Sequence, residues 1–353
     1  MKASKPVKKL YWLWMFSLRL TGQILAQFSY SENRVFLLLN YRWESELVSK
    51  SWRDRIYGRK LWWTRFVEDV VGIKKSRFQY ALFGVFGPKF LTRIPLPFPK
   101  VWLTEEDVEF RFKEYNDHCL ANVNLSIGFR NVEHDNYVRI PFWIYQFIDP
   151  GFVADDGQFG LSGKTKFLYP QEFYSKIIQA NRFDGRSRFA SIVSRHDSHG
   201  SGAGLRGDVM DALNEIGSVE AAGAWRNNTN ALKEEFGDDL SMYLEDCRFN
   251  ICLENTNSDG YVTEKVFHAL LGGSIPIYWG GGAYMEPEVL TGNGIVLVGS
   301  SGISGVVEQV ERLEGNPAYR EDWLAKPILT EWAPEWIEER VDLLRRKFIE
   351  IRG

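Results

Sequence analysis

Residues 249–266 read FNICLENTNSDGYVTEKV, and residues 272–282 read GGSIPIYWGGG. The first stretch predicts an apolar strand, Phe249–Leu253, that runs into the polar tripeptide ENT at 254–256. A short loop follows, and then a helix with Thr263 as its predicted N-cap. The order of strand, polar loop and helix is typical of a ligand-binding α/β unit.

The first turn of that helix carries Glu264 and Lys265. We expect both at the carboxyl edge of a parallel sheet, where open α/β folds bind their ligands. A carboxylate there suits sugar or ribose hydroxyls, although glutamate in a first turn is also ordinary helix chemistry. Lysine opposes the helix dipole at this position, and Lys265 therefore indicates a bound anion such as a phosphate.

Short apolar strands alternate with helical patterns beyond about residue 185. The predicted strands are Arg188–Ser194, Phe249–Leu253, Ser274–Trp279 and Gly294–Val298, and the predicted helices are Asp208–Ile216, Leu240–Asp246, Glu264–Leu271 and Ile303–Leu313. This alternation predicts a parallel sheet covered by helices on both faces, and hence the α/β class.

The N-terminal half is predicted in less regular pieces. They are strands Arg34–Asn40, Phe78–Phe86, Lys100–Leu103 and Asn122–Phe129, a basic, tryptophan-rich helical stretch Trp43–Lys75, and an acidic segment Glu105–Glu109. The glycine-rich stretch Asp149–Gly163 predicts a loop near a domain boundary. The last helix, Glu335–Ile349, follows Pro334, and we expect it to pack back across to the first domain.

Residues 202–207 form a GxGxxG pattern before a helix. A dinucleotide fingerprint needs its glycines directly after a strand, whereas the predicted strand Arg188–Ser194 ends about eight residues earlier. A glycine loop that opens a helix still favours an anion, and Arg206 adds a planar set of donors for phosphate oxygens. The alternative is a surface arginine that pairs with Asp208 or Asp211.

The run FNICLENTNSDGYVTEKVFHALLGGSIPIYWGG resembles the signature of glycosyltransferase family 10, the α1,3/4-fucosyltransferases. Upstream, RSRFASIVS, LRGDVMDALNEI and AGAWRNN resemble the family's donor-domain strand, arginine-bearing helix and glycine-rich turn. In the N-terminal half, ALFGVFG and VWLTEED resemble bacterial members more loosely. The resemblance covers roughly residues 78–335.

The resemblance implies a GT-B architecture, in which two Rossmann-like domains face each other across a cleft. Residues 34–170 would form the acceptor-binding domain and residues 171–334 the GDP-fucose-binding domain. Residues 335–353 would pack back on the first domain, and residues 1–33 would precede both. The implied reaction is inverting transfer of L-fucose from GDP-fucose to N-acetylglucosamine in a lactosamine-type glycan, through an α1,3 or α1,4 linkage.

The resemblance also implies roles for residues in the C-terminal half. Arg206 and Lys265 align with the arginine and lysine that bind the pyrophosphate, and Glu264 aligns with the glutamate that binds the donor. Asn255 and Tyr261 align with further positions of the donor pocket. No cofactor or metal is implied, because the two cations can neutralise the leaving diphosphate.

Two positions depart from the family pattern. Glu106 aligns with the glutamate proposed as general base, but residues 104–107 read TEED here where the family reads close to TGEN. The neighbouring Glu105 therefore offers a second register. After the predicted strand the family has Ser-Asn, whereas this chain has Ser194 and Arg195, which alters the expected donor contact.

Rival functions follow from the same residues. A relative that uses another sugar nucleotide would keep the phosphate-binding pair, and a membrane-attached, glycan-binding protein would have lost catalysis. A glycoside hydrolase needs two facing carboxylic acids, and in such an enzyme the phosphate-binding pair Arg206 and Lys265 would have no purpose.

The motif His196–His199 is a candidate metal site, but no HExxH motif or paired CxxC motif supports metal binding. The three cysteines are predicted to be packing thiols.

The charge is divided along the chain. Residues 1–100 hold 19 Lys and Arg against 6 Asp and Glu, a net charge of +13, and the remaining 253 residues carry −16. A short aromatic run, residues 10–18, follows four lysines and is too short to span a bilayer. We expect an anionic membrane surface and not a nucleic acid as partner, with a peripheral, cytoplasmic location or, as the alternative, the Golgi membrane. The other interpretations are a solvated basic face and, for the aromatic run, a helix packed in the core.

Overall fold

The computed structural model describes residues 36–39, 62–63, 66–72, 79–154, 167–197 and 202–352. The predicted N-terminal segment, residues 1–33, lies outside these ranges. So do most of the predicted helix Trp43–Lys75 and His199 of the candidate metal motif. Within residues 66–72, Phe66–Val70 form a single π-helical turn.

Two parallel sheets organise the described residues. The first contains β1 (Phe36–Leu39), β2 (Tyr80–Phe83), β3 (Lys100–Leu103), β4 (Leu125–Gly128) and β5 (Tyr137–Arg139), in the order β1-β2-β3-β4-β5. The second contains β6 (Arg188–Ile192), β7 (Val219–Ala221), β8 (Cys247–Ile251), β9 (Ile275–Tyr278) and β10 (Val296–Leu297), in the order β10-β9-β8-β6-β7. All the pairings are parallel, which confirms the predicted α/β class.

Helices connect the strands and flank the sheets. They are α1 (Ile144–Phe147), α2 (Pro170–Gln179), α3 (Leu205–Asn214), α4 (Ala231–Glu234), α5 (Leu240–Glu245), α6 (Glu264–Leu271), α7 (Gly302–Gly315), α8 (Pro317–Leu324) and α9 (Ala333–Glu350). Short 3-10 helices lie at Lys89–Arg93, Lys113–Tyr115 and Pro150–Ala154. In the described part of the chain, no helix is long and apolar enough to cross a membrane.

The predicted and observed boundaries agree where the pattern is strongest, at β3 and α6. The predicted strand Asn122–Phe129 was too long. Asn122 still belongs to a turn, in which its N–H donates to the Cys119 carbonyl, and β4 begins at Leu125. Six of these strands and α-helices were not predicted: β5, β7, α1, α2, α4 and α8. The two strands have only three residues each, which is too few for a period-two pattern to stand out.

The final helix packs on the domain of the first sheet. Phe348 of α9 lies edge-on to Tyr80 of β2, with 5.0 Å between ring centroids, and 5.4 Å from Phe66. The Tyr80 hydroxyl donates to the Phe348 carbonyl at 2.9 Å. Each fully buried ring of this kind contributes about 1.5–3 kcal/mol by leaving water. α9 therefore stabilises the N-terminal domain, although it follows the C-terminal domain in the chain.

The carboxyl ends of β4 and β8 lead into loops that touch. Gly260, in the loop after β8, has φ +72°, and a Cβ at this position would lie 2.8 Å from the Phe129 carbonyl oxygen just beyond β4. The next residue, Tyr261, stacks edge-on against the Phe129 ring at 5.1 Å. Since the carboxyl ends of parallel strands share one edge of a sheet, this contact turns the two ligand-binding edges toward each other.

Candidate active site

Arg206 lies in the first turn of α3 and is buried, with 3% of its surface exposed. Its Nη1 donates to Ser194 Oγ at 3.2 Å and to the His196 carbonyl at 2.8 Å. Its Nη2 donates to the Leu253 carbonyl at 2.6 Å and to Asn255 Oδ1 at 3.0 Å. Four of the five guanidinium N–H groups thus tie the ends of β6 and β8 to α3.

The alternative of a surface arginine is wrong. Arg226, from the glycine-rich turn after β7, takes the expected partner instead and pairs with Asp211 at 2.5 Å. Burial lowers the pKa of Arg206 below its usual value, and the carboxylates of Glu254 and Asp197 oppose that shift. Because an arginine pKa starts above 12, the buried guanidinium keeps its charge.

The glycines before α3 are explained by packing. A Cβ on Gly202 would lie 2.3 Å from the ring of Trp279, which follows β9, and Gly204 has φ +84° at the N-cap of α3. Asp197 Oδ1 accepts the backbone N–H of Arg206 at 3.3 Å. The helix N-terminus expected to attract an anion therefore already holds a carboxylate of the chain.

Glu254 is the buried anchor of the second cationic group. It has no exposed surface, and its Oε2 accepts a hydrogen bond from Lys265 Nζ at 2.6 Å. Its Oε1 accepts the Thr263 N–H at 2.7 Å and lies 3.3 Å from the Tyr278 hydroxyl. Thr263 is the N-cap of α6 as predicted, but its hydroxyl bonds to Glu254 and makes no capping bond.

Lys265 combines a fixed charge with access to solvent. Its side chain is 26% exposed, and Nζ also bonds to Thr263 Oγ1 at 2.8 Å, so these contacts use two of its three donors. Burial lowers the pKa of Lys265, but the negative charges of Glu254 and Glu264 outweigh burial, and the pKa is raised. Lys265 is therefore protonated at neutral pH.

Tyr261 lies where the two domains meet and is 4% exposed. Burial raises its pKa well above the usual value, and four carboxylates act in the same direction: Glu106, Glu254, Glu264 and Asp107. Two of these carboxylates belong to the N-terminal domain and two to the C-terminal domain. The structure thus brings the acidic segment after β3 into electrostatic range of the predicted donor pocket.

Glu106 is partly buried, with 18% of its side chain exposed, and accepts a hydrogen bond from Arg111 Nη1 at 2.9 Å. Its neighbour Asp107 is 2% exposed, and Oδ1 accepts the backbone N–H of Glu109 at 2.8 Å. The acidic segment does not lead directly into a helix, because residues 108–111 form a turn. Asp107 closes that turn, while the Glu106 side chain bonds to Arg111.

Ser194 and Arg195, in the loop after β6, have different surroundings. The Ser194 hydroxyl donates to the His196 carbonyl at 2.6 Å and accepts from Arg206, so it belongs to the arginine cluster. Arg195 is exposed on the same loop. Of the predicted donor residues, Ser194 and Asn255 both accept hydrogen bonds from Arg206, and Arg195 lies at the surface.

No three His, Cys, Asp or Glu side chains come together as a metal site within the described ranges. Independence from metals stays a prediction. The three cysteines are buried thiols, and burial raises the pKa of Cys119 to about 12 and that of Cys247 to about 11. Such thiols are poor nucleophiles at neutral pH, as expected for packing residues.

Two carboxylates of the candidate site were missed from the sequence. Glu254 was recognised only as a polar residue at a strand end, and Asp197 only as part of the candidate metal motif. A carboxylate directly after an apolar strand and nine residues before a helical Thr-Glu-Lys was a usable signal for Glu254. No local signal shows that Asp197 reaches the N-terminus of α3.

Comparison with known proteins agrees with this geometry. Residues 186–298 match the family model described as glycosyltransferase family 10 (fucosyltransferase) C-term. These residues extend from just before β6 to just beyond β10 and include both cationic clusters.

Two curated relatives show the same similarity over part of their length. An α-(1,3)-fucosyltransferase of Helicobacter pylori is 30% identical over 174 residues, which are 45% of this chain and 35% of that protein. An α-(1,4)-fucosyltransferase of Arabidopsis thaliana is 35% identical over 71 residues, 19% of this chain and 18% of that protein. The chain thus aligns with about a third or less of either relative.

The fold extends the likeness to most of the chain. A crystal structure of α1,3-fucosyltransferase with GDP-fucose has a TM-score of 0.52 and 17% identity over 90% of this chain and 92% of that one. A second crystal structure of α1,3-fucosyltransferase has a TM-score of 0.53 and 18% identity over 88% and 89%. The two facing α/β domains therefore have the GT-B fold, and residues 186–298 match the model of the C-terminal domain of glycosyltransferase family 10.

Proposed function

We propose that this protein is an inverting fucosyltransferase that transfers L-fucose from GDP-fucose to a hydroxyl of N-acetylglucosamine in a lactosamine-type glycan. The α-(1,3)- and α-(1,4)-fucosyltransferase relatives support this chemistry, and so does the fold shared with a GDP-fucose complex. The observation that carries the proposal is the placement of Tyr261. Tyr261 packs on Phe129 of the N-terminal domain and interacts electrostatically with Glu106 and Asp107 of that domain and with Arg206 of its own.

The C-terminal domain supplies the positive charge for the diphosphate. Lys265 keeps one N–H donor beyond its bonds to Glu254 and Thr263, and it reaches solvent. Arg206 has two backbone partners and two side-chain partners, Ser194 and Asn255. A phosphate oxygen can replace the side-chain partners while the backbone bonds keep the guanidinium in place. Lys265 thus binds without rearrangement, and Arg206 binds by exchanging a partner.

The N-terminal domain supplies the base. Inversion requires the acceptor hydroxyl to attack C1 of fucose from the face opposite to the leaving diphosphate. The hydroxyl proton passes to Glu106, a bond forms between the acceptor oxygen and C1, and the C1–O bond breaks with its electrons remaining on GDP. A base and a diphosphate site on facing domains fit this geometry, with general-base catalysis worth about 10²–10⁴-fold.

We also propose that the reaction needs no metal, because Arg206 and Lys265 place two fixed cations where negative charge grows on GDP. Protein passed over a chelating resin and assayed with and without EDTA tests this. Equal transfer in both samples is expected. Loss of transfer that Mg²⁺ or Mn²⁺ restores would contradict it.

One assay tests the function. The protein is incubated with GDP-fucose and N-acetyllactosamine, and both GDP release and the fucosylated product are measured, with GDP-mannose and UDP-galactose in parallel. Product from GDP-fucose alone is expected. Product from another sugar nucleotide would identify a related transferase. Glycan binding without release of any nucleotide would identify a protein that has lost catalysis.

We further propose peripheral attachment to an anionic membrane surface through the basic N-terminal hundred residues, on the cytoplasmic side or, as the alternative, at the Golgi membrane. Support comes from the net charge of +13 in residues 1–100 beside −16 in the remainder. Each basic residue near an anionic leaflet contributes about 1 kcal/mol, so a few suffice.

A further inference from the structure

Arg139 and Glu286 form a buried ion pair between the two domains. Arg139 ends β5 of the N-terminal domain and is 7% exposed, while Glu286 lies in the loop after β9 and has no exposed surface. The Nη2 of Arg139 donates to Glu286 Oε1. Neither residue belongs to the cationic clusters described above. The desolvation of two charges is expensive, and such a pair persists only where its geometry is fixed.

The guanidinium is held by further contacts on both sides. Its Nε donates to the Phe129 carbonyl at 2.8 Å. The ring of Tyr284 lies 4.9 Å from its Cζ and the ring of Trp336, on α9, lies 5.4 Å away. Cation–π contacts of this kind are strongest when they are shielded from water. Arg139 therefore contacts β4, the loop after β9 and α9 at once.

A continuous series of contacts connects this ion pair to the predicted donor pocket. Gly260 donates its N–H to the carbonyls of Gly281 at 3.0 Å and Tyr284 at 3.1 Å, two residues before Glu286. Tyr261 then packs on the ring of Phe129, whose carbonyl is bonded to Arg139. Glu286 itself has φ +49°, an uncommon conformation for a glutamate that needs tertiary support.

We propose that Arg139 is a positioning residue that, through Glu286, fixes the loop 254–263 and with it Tyr261 in the geometry that binds the nucleotide diphosphate. The part of this inference that concerns the ligand rests on the proposed function. The loop carries Glu254 and Asn255, which hold the two cations of the pocket. A loop anchored from the opposite domain makes donor binding depend on a residue that does not contact the donor.

Two full-length variants test the proposal, Arg139→Met and the neutral pair Arg139→Met with Glu286→Gln. The double variant leaves no unpaired buried charge, so it folds even where the single one is compromised. The matched control is Arg188→Met at the start of β6, because Arg188 also pairs with partly exposed carboxylates, Glu220 and Asp246, and lies over two rings, Phe236 and Tyr243. Arg188 lies at the amino end of its strand, whereas the candidate site lies at the carboxyl edge of the same sheet.

Amide hydrogen exchange of peptides covering 254–263 is the first measurement, and titration calorimetry with GDP the second. We expect exchange in 254–263 to rise about tenfold or more and GDP binding to weaken about tenfold in both Arg139 variants, with no such change in the control. Folding is confirmed for each protein by circular dichroism at the temperature of the titration.

The outcomes separate the two proposals. If the wild type binds no GDP but exchange in 254–263 is faster in the Arg139 variants, the proposed function is contradicted and the positioning role is supported. Unchanged exchange in a folded Arg139 variant would overturn the positioning role, whatever GDP does. Failure of both variants to fold would overturn it too, because the pair would then hold the whole molecule together and not one loop.

Discussion

Lys265 Nζ lies 2.6 Å from Oε2 of the fully buried Glu254, so the partly exposed lysine of the candidate site is tied to a carboxylate that water does not reach. The same carboxylate accepts the N–H of Thr263 at the start of α6. Glu254 thereby stabilises the charged form of Lys265 and fixes the backbone at the start of α6. We therefore expect removal of that single charge to lower both stability and binding of the proposed donor.

Glu254→Gln should destabilise the fold by about 1–3 kcal/mol, because the amide keeps the shape but loses two charge-assisted hydrogen bonds. GDP affinity should fall as well, since Lys265 is then no longer held in place. Urea unfolding and titration calorimetry measure the two effects. The control is Glu314→Gln, which removes a half-exposed partner of Arg248 far from the pocket. Equal losses in both variants would contradict a special role for Glu254.

The raised pKa of Lys265 gives that ion pair a defined pH dependence. A lysine pKa that is higher in the folded state than in the unfolded chain contributes stability below about pH 10.4, and that contribution is lost as pH rises through the folded-state value. The difference in melting temperature between wild type and Glu254→Gln should therefore shrink on going from pH 9 to pH 11.5. A constant difference across that range would show that the pair does not act through charge.

Arg206→Lys should bind GDP about 10–150-fold more weakly than wild type, because it loses charge-assisted contacts worth about 1.5–3 kcal/mol. A lysine cannot reach the Leu253 and His196 carbonyls together, since it lacks the planar set of donors. Titration calorimetry with GDP measures the loss. Arg226→Lys, at the exposed pair with Asp211, is the matched control and should bind as wild type does. Wild-type affinity in Arg206→Lys would remove this residue from the donor site.

Glu106→Gln should lower turnover about 10²–10⁴-fold and leave GDP-fucose affinity nearly unchanged, because a base acts on the acceptor proton and not on the donor. Initial rates with N-acetyllactosamine and calorimetry with GDP-fucose separate the two effects. Glu105→Gln tests the other register. If it alone abolishes turnover, the base is Glu105, and near wild-type rates in both variants would place the base elsewhere.

Deletion of Met1–Tyr30 should reduce sedimentation with anionic liposomes, and added salt should weaken the binding of the full chain, because surface charges are screened. Vesicles of phosphatidylserine and phosphatidylcholine are compared with phosphatidylcholine alone. Equal sedimentation of the two proteins would contradict a role for this segment.

The sequence by itself determined the fold class and predicted the place of the candidate site. Apolar strands alternating with helices allow only a parallel α/β arrangement, and the polar residues 254–265 after β8 had to lie at its carboxyl edge. The bounds of β3 and α6 followed from local patterns of apolar and polar residues. Such patterns depend only on residues that are close in the sequence, so no long-range contact is needed to recognise them.

Only the tertiary structure decided which groups pair inside that pocket. Arg206 could equally have met Asp208 or Asp211 beside it in the chain, yet it binds residues 47 and 49 positions away. The pair of Arg139 and Glu286 joins residues separated by 147 positions. Partners of this kind depend on how two domains pack, because burial selects the pairing that leaves the fewest charges and donors unsatisfied. Local periodicity carries no information about that choice.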